Sequence, residues 1–155
     1  MVAACRSRYA VRSAESFLVK RDRGRVNHVD RDQGLNYWFR MNHNVKTDTS
    51  IQRMIPALRA EYTRLMADLD IAAAHALCVT NHHARIQALR ATETPAAFYA
   101  ELTSPRMERL CRLQPHFGSA VFAAGPGVIP DDILNQDLKP DFFFTIPPLA
   151  KADPA

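Results

Sequence analysis

Residues 49–86 read TSIQRMIPALRAEYTRLMADLDIAAAHALCVTNHHARI. Thr49 and Gln52 stand three apart, the spacing of a capping box that opens a helix. Beyond them a seam runs through Ile51, Ile55, Leu58, Tyr62, Leu65, Leu69, Ala72, Ala76, Val79, His83 and Ile86. The steps alternate between four and three residues, which is a heptad repeat interrupted only by His83. Met54, Met66, Ala73 and Leu77 widen the stripe on one flank. Arg53, Arg59, Glu61, Arg64, Asp68 and Asp70 avoid it, and the spacings Glu61–Arg64 and Arg64–Asp68 suit ion pairs on an exposed face. The pattern predicts one amphipathic helix from residue 50 to about 90, about 60 Å long at 1.5 Å per residue. A lone helix of that length cannot bury its stripe, so it needs a partner. Pro56 either kinks the helix or stands at its first position. His83 on the seam either sets register or marks where the helix leaves the core.

The helix should stop before Pro95. Thr94-Pro95 reads as a fresh N-cap and first position. A second helix follows through Phe98, Leu102, Leu110 and Leu113; Ser104-Pro105 restarts it, and Pro115 and Gly118 interrupt it again around Phe117, Val121 and Phe122. A short link between two helices favours an antiparallel hairpin. The expected fold is therefore all-α, a long amphipathic helix and a shorter broken one forming a helical hairpin over residues 49–124. Scarce glycine, five in the whole chain, agrees with helices rather than a turn-rich β fold.

The flanks look different. Residues 1–40 hold nine Lys/Arg against four Asp/Glu and so carry the chain's whole positive charge; the remainder is close to neutral. A basic folded face of the nucleic-acid-binding kind is therefore not indicated. The stretch KRDRGRVNHVDRDQ at 20–33 offers little to bury, so residues 1–48 are expected to be a disordered basic extension. Two readings of it stand side by side: an extension upstream of a start at Met41, or, over Met1 to Arg21, a targeting segment. On the first, a chain beginning at Met41 keeps the full helical body, unless Tyr37, Trp38 and Phe39 pack on it. Residues 125–155 hold six of the ten prolines and are expected to be an extended, disordered tail, with one apolar patch from Phe142 to Leu149.

Little in the chain suggests chemistry. The cysteines Cys5, Cys78 and Cys111 are odd in number and include no Cys-x-x-Cys, which points to a reducing, cytoplasmic setting. No apolar run is long enough to span a bilayer. His75, Cys78 and His82 share a helix stripe, but one ion cannot be reached by all three along about 10 Å of helix. Cys111 stands beside Arg109 and Arg112, which would lower a thiol pKa, yet no partner pattern supports a nucleophile. No cofactor, metal site or catalytic residue is assigned.

Residues 84–102, ARIQALRATETPAAFYAEL, resemble the middle of phasins, the proteins that coat polyhydroxyalkanoate granules. The resemblance covers roughly residues 50–124. It implies a non-catalytic protein that self-associates as a homo-oligomer and adsorbs to a hydrophobic polyester surface. Pro105, Pro115 and Gly118 depart from the family's continuous second helix. The expected association surface is Ile51, Ile55, Leu58, Tyr62, Leu65, Leu69, Val79, Ile86, Phe98 and Leu102. The other readings are a coiled-coil subunit with a helical protein partner and Phe142–Leu149 as a docking peptide, and, from a third class, a small metal- or thiol-dependent enzyme.

Overall fold

The computed structural model describes residues 11–24, 33–47 and 49–147. The expectations placed on residues 1–10, 25–32, 48 and 148–155, Cys5 and Leu149 among them, lie outside those. The described chain is all-α, with helices α1 (Ala14–Arg23), α2 (Leu35–Met41), α3 (Ile55–Met66), α4 (Leu69–Arg90), α5 (Glu93–Leu102), α6 (Pro105–Arg112), α7 (Ser119–Ala124) and α8 (Asp131–Leu134).

The long helix is broken. A 3-10 turn, Ser50–Met54, leads into α3, with Pro56 in its first turn, where a missing N–H is harmless. Thr49 makes no side-chain cap, so the expected capping box does not form. The chain then turns at Ala67-Asp68. Asp68 adopts extended backbone, and its carboxylate accepts the N–H groups of Asp70 at 3.0 Å and Ile71 at 3.1 Å. That cap starts α4 as a new helix. The Tyr62 and His75 rings meet edge-on at 5.7 Å, whereas thirteen residues along one straight helix would set them about 20 Å apart. The expected Glu61–Arg64 pair is present at 2.6 Å; the expected Arg64–Asp68 pair gives way to the cap. Removing the cap with Asp68→Ala is expected to lower unfolding free energy by about 1 kcal/mol, measurable by denaturant titration; no change would mean that the elbow is held by packing alone.

The core lies outside the seam. α1 packs against α4 and α5, and α2 against α6 and α7. Phe17, Trp38, Phe39, Leu102, Met107, Leu110, Cys111, Phe117, Val121, Ile129 and Ile133 are buried together. Residues 11–24 and 33–41 are therefore part of the body, which corrects the expected disordered extension. Ser13 caps α1, and Ala14, Phe17 and Leu18 give that helix its buried side. Three polar clips fasten α1: the Tyr99 hydroxyl donates to Glu15 at 2.6 Å, Arg85 grips Asp22 through both carboxylate oxygens, and Arg21 lies 4.1 Å over the Phe98 ring.

The stretch after Gly125 is not a free tail as far as Pro147. Arg106 donates to Asp131 at 2.8 Å and to the Pro126 and Ile129 carbonyls, while Arg109 reaches the Leu134 and Gln136 carbonyls. Farther on, Phe144 makes a parallel bridge to Phe117 through Phe144 N–H to His116 O and Gly118 N–H to Phe144 O. A Cβ at Gly118 would stand 2.7 Å from Thr145 Oγ1, so this approach depends on glycine. Phe142, Phe144 and Ile146 pack against the core, and Phe143 points out.

Two punctuation marks fall as expected. Ser104 caps α6 with Pro105 at its start, and Gly118 opens α7 after the interruption at Pro115. One moves: Thr92, rather than Thr94, holds the N-cap position of α5.

Candidate association surface

The 3-10 turn, α3 and the first part of α4 form an arm. No residue from Thr49 to Arg85 is buried. Ile55, Leu58, Tyr62 and Leu65 fall within about 80° of arc on α3, a true amphipathic face. α4 is different. Residues 71–84, IAAAHALCVTNHHA, contain no Lys, Arg, Asp or Glu, and their apolar groups are not confined to one side: Leu77 and Val79 project about 160° apart. A helix with no charged residue over nearly four turns, its polar groups limited to three histidines, Thr80 and Asn81, is normally buried over much of its surface. Here only its end is, through Ile86 and Leu89. Between residues 51 and 79, nine large apolar side chains are exposed, Leu58 to 67% and Leu69 to 83%. An apolar concentration of this kind marks a contact surface.

The ten expected surface residues divide accordingly. Ile51, Ile55, Leu58, Tyr62, Leu69 and Val79 are exposed on the arm, and Leu65 is half-buried at the elbow. Ile86 and Leu102 are buried within the chain, and Phe98 is half-buried against the core beside Phe17. Those three hold the body together and leave the surface set. Residues that belong with the arm but fell outside the set are Met54, Ile71 and Leu77. Leu77 and Met54 had been visible as the broad flank; Ile71 lies off the seam and had no periodic signal.

The candidate chemical groups separate. His75 stands against Tyr62, Cys78 is exposed, and His82 meets the Ser16 hydroxyl at 3.3 Å. His83 is exposed. Cys111 is buried next to Asn42, and burial pushes its thiol up to about 11, opposite to the lowering expected from Arg109 and Arg112. Those two arginines turn away, Arg109 to the Leu134 and Gln136 carbonyls at the end of α8 and Arg112 to Glu108. Cys111 is therefore expected to resist alkylation at neutral pH while the protein is folded and to react once denaturant is added. Peptide mapping by mass spectrometry checks this; rapid modification in the native state would contradict it.

Fold and surface together define an all-α protein with a helical body and an exposed apolar arm. Among the described residues no helix is long and apolar enough to cross a membrane. No protein-family model matches the chain, and no curated protein or solved structure matches it either.

Proposed function

We propose that the chain is a non-catalytic association protein that self-associates and adsorbs to a hydrophobic surface through residues 50–81. The observation that carries this reading is the exposed, uncharged stretch 71–84 of α4. Leaving such a helix in water forgoes about 25 cal/mol for each Å² of apolar surface that association would cover. Its alanines let another helix or a flat surface approach closely. α3 adds an amphipathic face at the elbow, with Arg59 at its border and Arg64 on the opposite, polar side, so that charge stays in water. The resemblance to phasins names the surface, a polyester granule. The elbow supports a broad contact over a single two-stranded coiled coil, because the heptad seam does not run straight past Asp68. The tail peptide of the coiled-coil reading has no support here, since Phe142 and Phe144 already pack on their own chain.

Sedimentation across a concentration series and adsorption to polyester particles test the proposal. The native chain is expected to form oligomers and to adsorb. Leu58→Asp with Leu77→Asp is expected to stay monomeric and unadsorbed at an unchanged melting temperature, because both side chains are exposed and only the associated state would bury the new carboxylates. Arg64→Asp, on the polar side, is expected to behave as the native chain. If the double variant associates and adsorbs normally, the proposal fails.

A further inference from the structure

Helix α4 carries a second seam that its own chain leaves uncovered. Asp70, Ala73, Leu77, Thr80, Ala84 and Gln87 follow one another by three, four, three, four and three residues, which sets them on one stripe. All six are exposed, from the elbow to the end of the helix beside the body. The stripe lies on the opposite side of α4 from His75, which meets Tyr62 of α3, and from Ile86 and Leu89, which are buried. Alanines and Thr80 along it let a second helix approach to about 8 Å between axes.

This seam is complementary to a reversed copy of itself. Laid antiparallel about a two-fold axis between residues 78 and 79, Leu77 meets Thr80 of the other copy, Ala73 meets Ala84, and Asp70 meets Gln87. Each leucine thus faces a smaller side chain. Charge favours the same arrangement. α4 is acidic at its start, with Asp68 as cap and Asp70 in the first turn, and basic at its end, with Arg85 and Arg90 on either side of Gln87. An antiparallel pair sets acid against base at both ends and places the two helix dipoles head to tail; a parallel pair would set Asp70 against its own copy. Arg85 is held by Asp22, and Arg90 lies 4.5 Å from the centre of the Tyr99 ring, so both stand as a fixed positive border. An uncharged particle surface would leave these ends unmatched, whereas a second copy matches both.

We infer that a second copy of this chain docks antiparallel on the outer face of α4, forming a two-fold dimer centred on residues 78 and 79. This rests on the reading of the arm as an association surface and assigns its self-association to one helix face. Sedimentation of the full chain over a concentration series reads the dimer, and adsorption to polyester particles is measured beside it. Gln87→Glu puts a carboxylate opposite Asp70 of the other copy and is expected to weaken the dimer at least fivefold. Gln87→Lys is expected to tighten it at least threefold, and Asp70→Lys added to Gln87→Glu to restore the native affinity. Gln87 is exposed, so neither of its single variants should move the melting temperature of the dilute protein. Disulfide trapping reads the orientation, in a chain carrying Cys5→Ser and Cys78→Ser. A mixture of Ala73→Cys chains with Ala84→Cys chains is expected to cross-link, and neither alone, because like positions lie about 16 Å apart in the antiparallel pair. Cross-links between like positions, or a dimer indifferent to the charge at residue 87, would overturn this inference and leave association itself standing. A chain that adsorbs but stays monomeric would overturn it as well; a chain that does neither would overturn the broader reading with it.

Discussion

A chain beginning at Met41 is expected not to fold. The deletion removes Phe17, Leu18, Trp38 and Phe39, all buried. Each such side chain contributes about 1.5–3 kcal/mol when fully buried, so the four together account for something on the order of 6–12 kcal/mol. That is comparable to the whole stability of an ordinary domain, about 5–15 kcal/mol. Helices α5, α6 and α7 would be left with one side of the core open. A milder version isolates one residue. Phe39 is 0% exposed and its ring lies 5.2 Å from that of Phe122; its carbonyl, near the end of α2, accepts the Gln114 side-chain amide. Phe39→Ala is expected to lower stability by about 3–5 kcal/mol, against little change for Leu58→Ala on the arm. Thermal and denaturant unfolding followed by circular dichroism decide both. A Met41 chain as helical and as cooperative as the full one would mean that α1 and α2 only rest on the body.

Ending the chain after Lys139 is expected to destabilise it by roughly 2–4 kcal/mol. The cut removes Phe142, Phe144 and Ile146 from the core's edge. It also strips three partners: the Phe144 N–H and carbonyl that pair with His116 and Gly118, and the Phe142 carbonyl 3.0 Å from His116 Nδ1. Phe117, 6.5 Å from the Phe144 ring, would then face water. A free tail would make the same cut neutral, so the size of the loss separates the two descriptions. Phe143→Ala serves as the control, since that ring is 62% exposed.

Local signals carried well where the chain punctuates itself. Ser104-Pro105 and Gly118 mark helix starts because a cap needs only a few neighbouring residues, and the apolar spacing on α3 survives as an exposed face. The seam failed at one place for an identifiable reason. Leu69 follows Leu65 by four, so the count passes over Asp68, whose carboxylate nevertheless finds the free N–H groups of Asp70 and Ile71 and starts a new helix. The α1 signal was also present, in Ser13 followed by Ala14, Phe17 and Leu18, but the surrounding charges hid it. Those charges turned out to be fixed by distant partners, Glu15 by Tyr99 and Asp22 by Arg85. The docking of residues 142–146 had no local signal at all, because its backbone hydrogen bonds join segments some twenty-six residues apart, as between Gly118 and Phe144. Cys111 shows the same limit: flanking arginines suggested an acidic thiol, while burial sets the opposite direction.

The arm's role is tested most directly by hydrogen–deuterium exchange on the full chain, comparing dilute protein with protein bound to polyester particles or concentrated to the oligomer. Residues 50–81 lie on the part of the chain with no buried side chain, so their amides should exchange fastest among the helices when the protein is dilute and gain protection on association. The body from α5 to α8 should change little. Protection confined to the body, or an arm that exchanges equally fast in both states, would contradict the account.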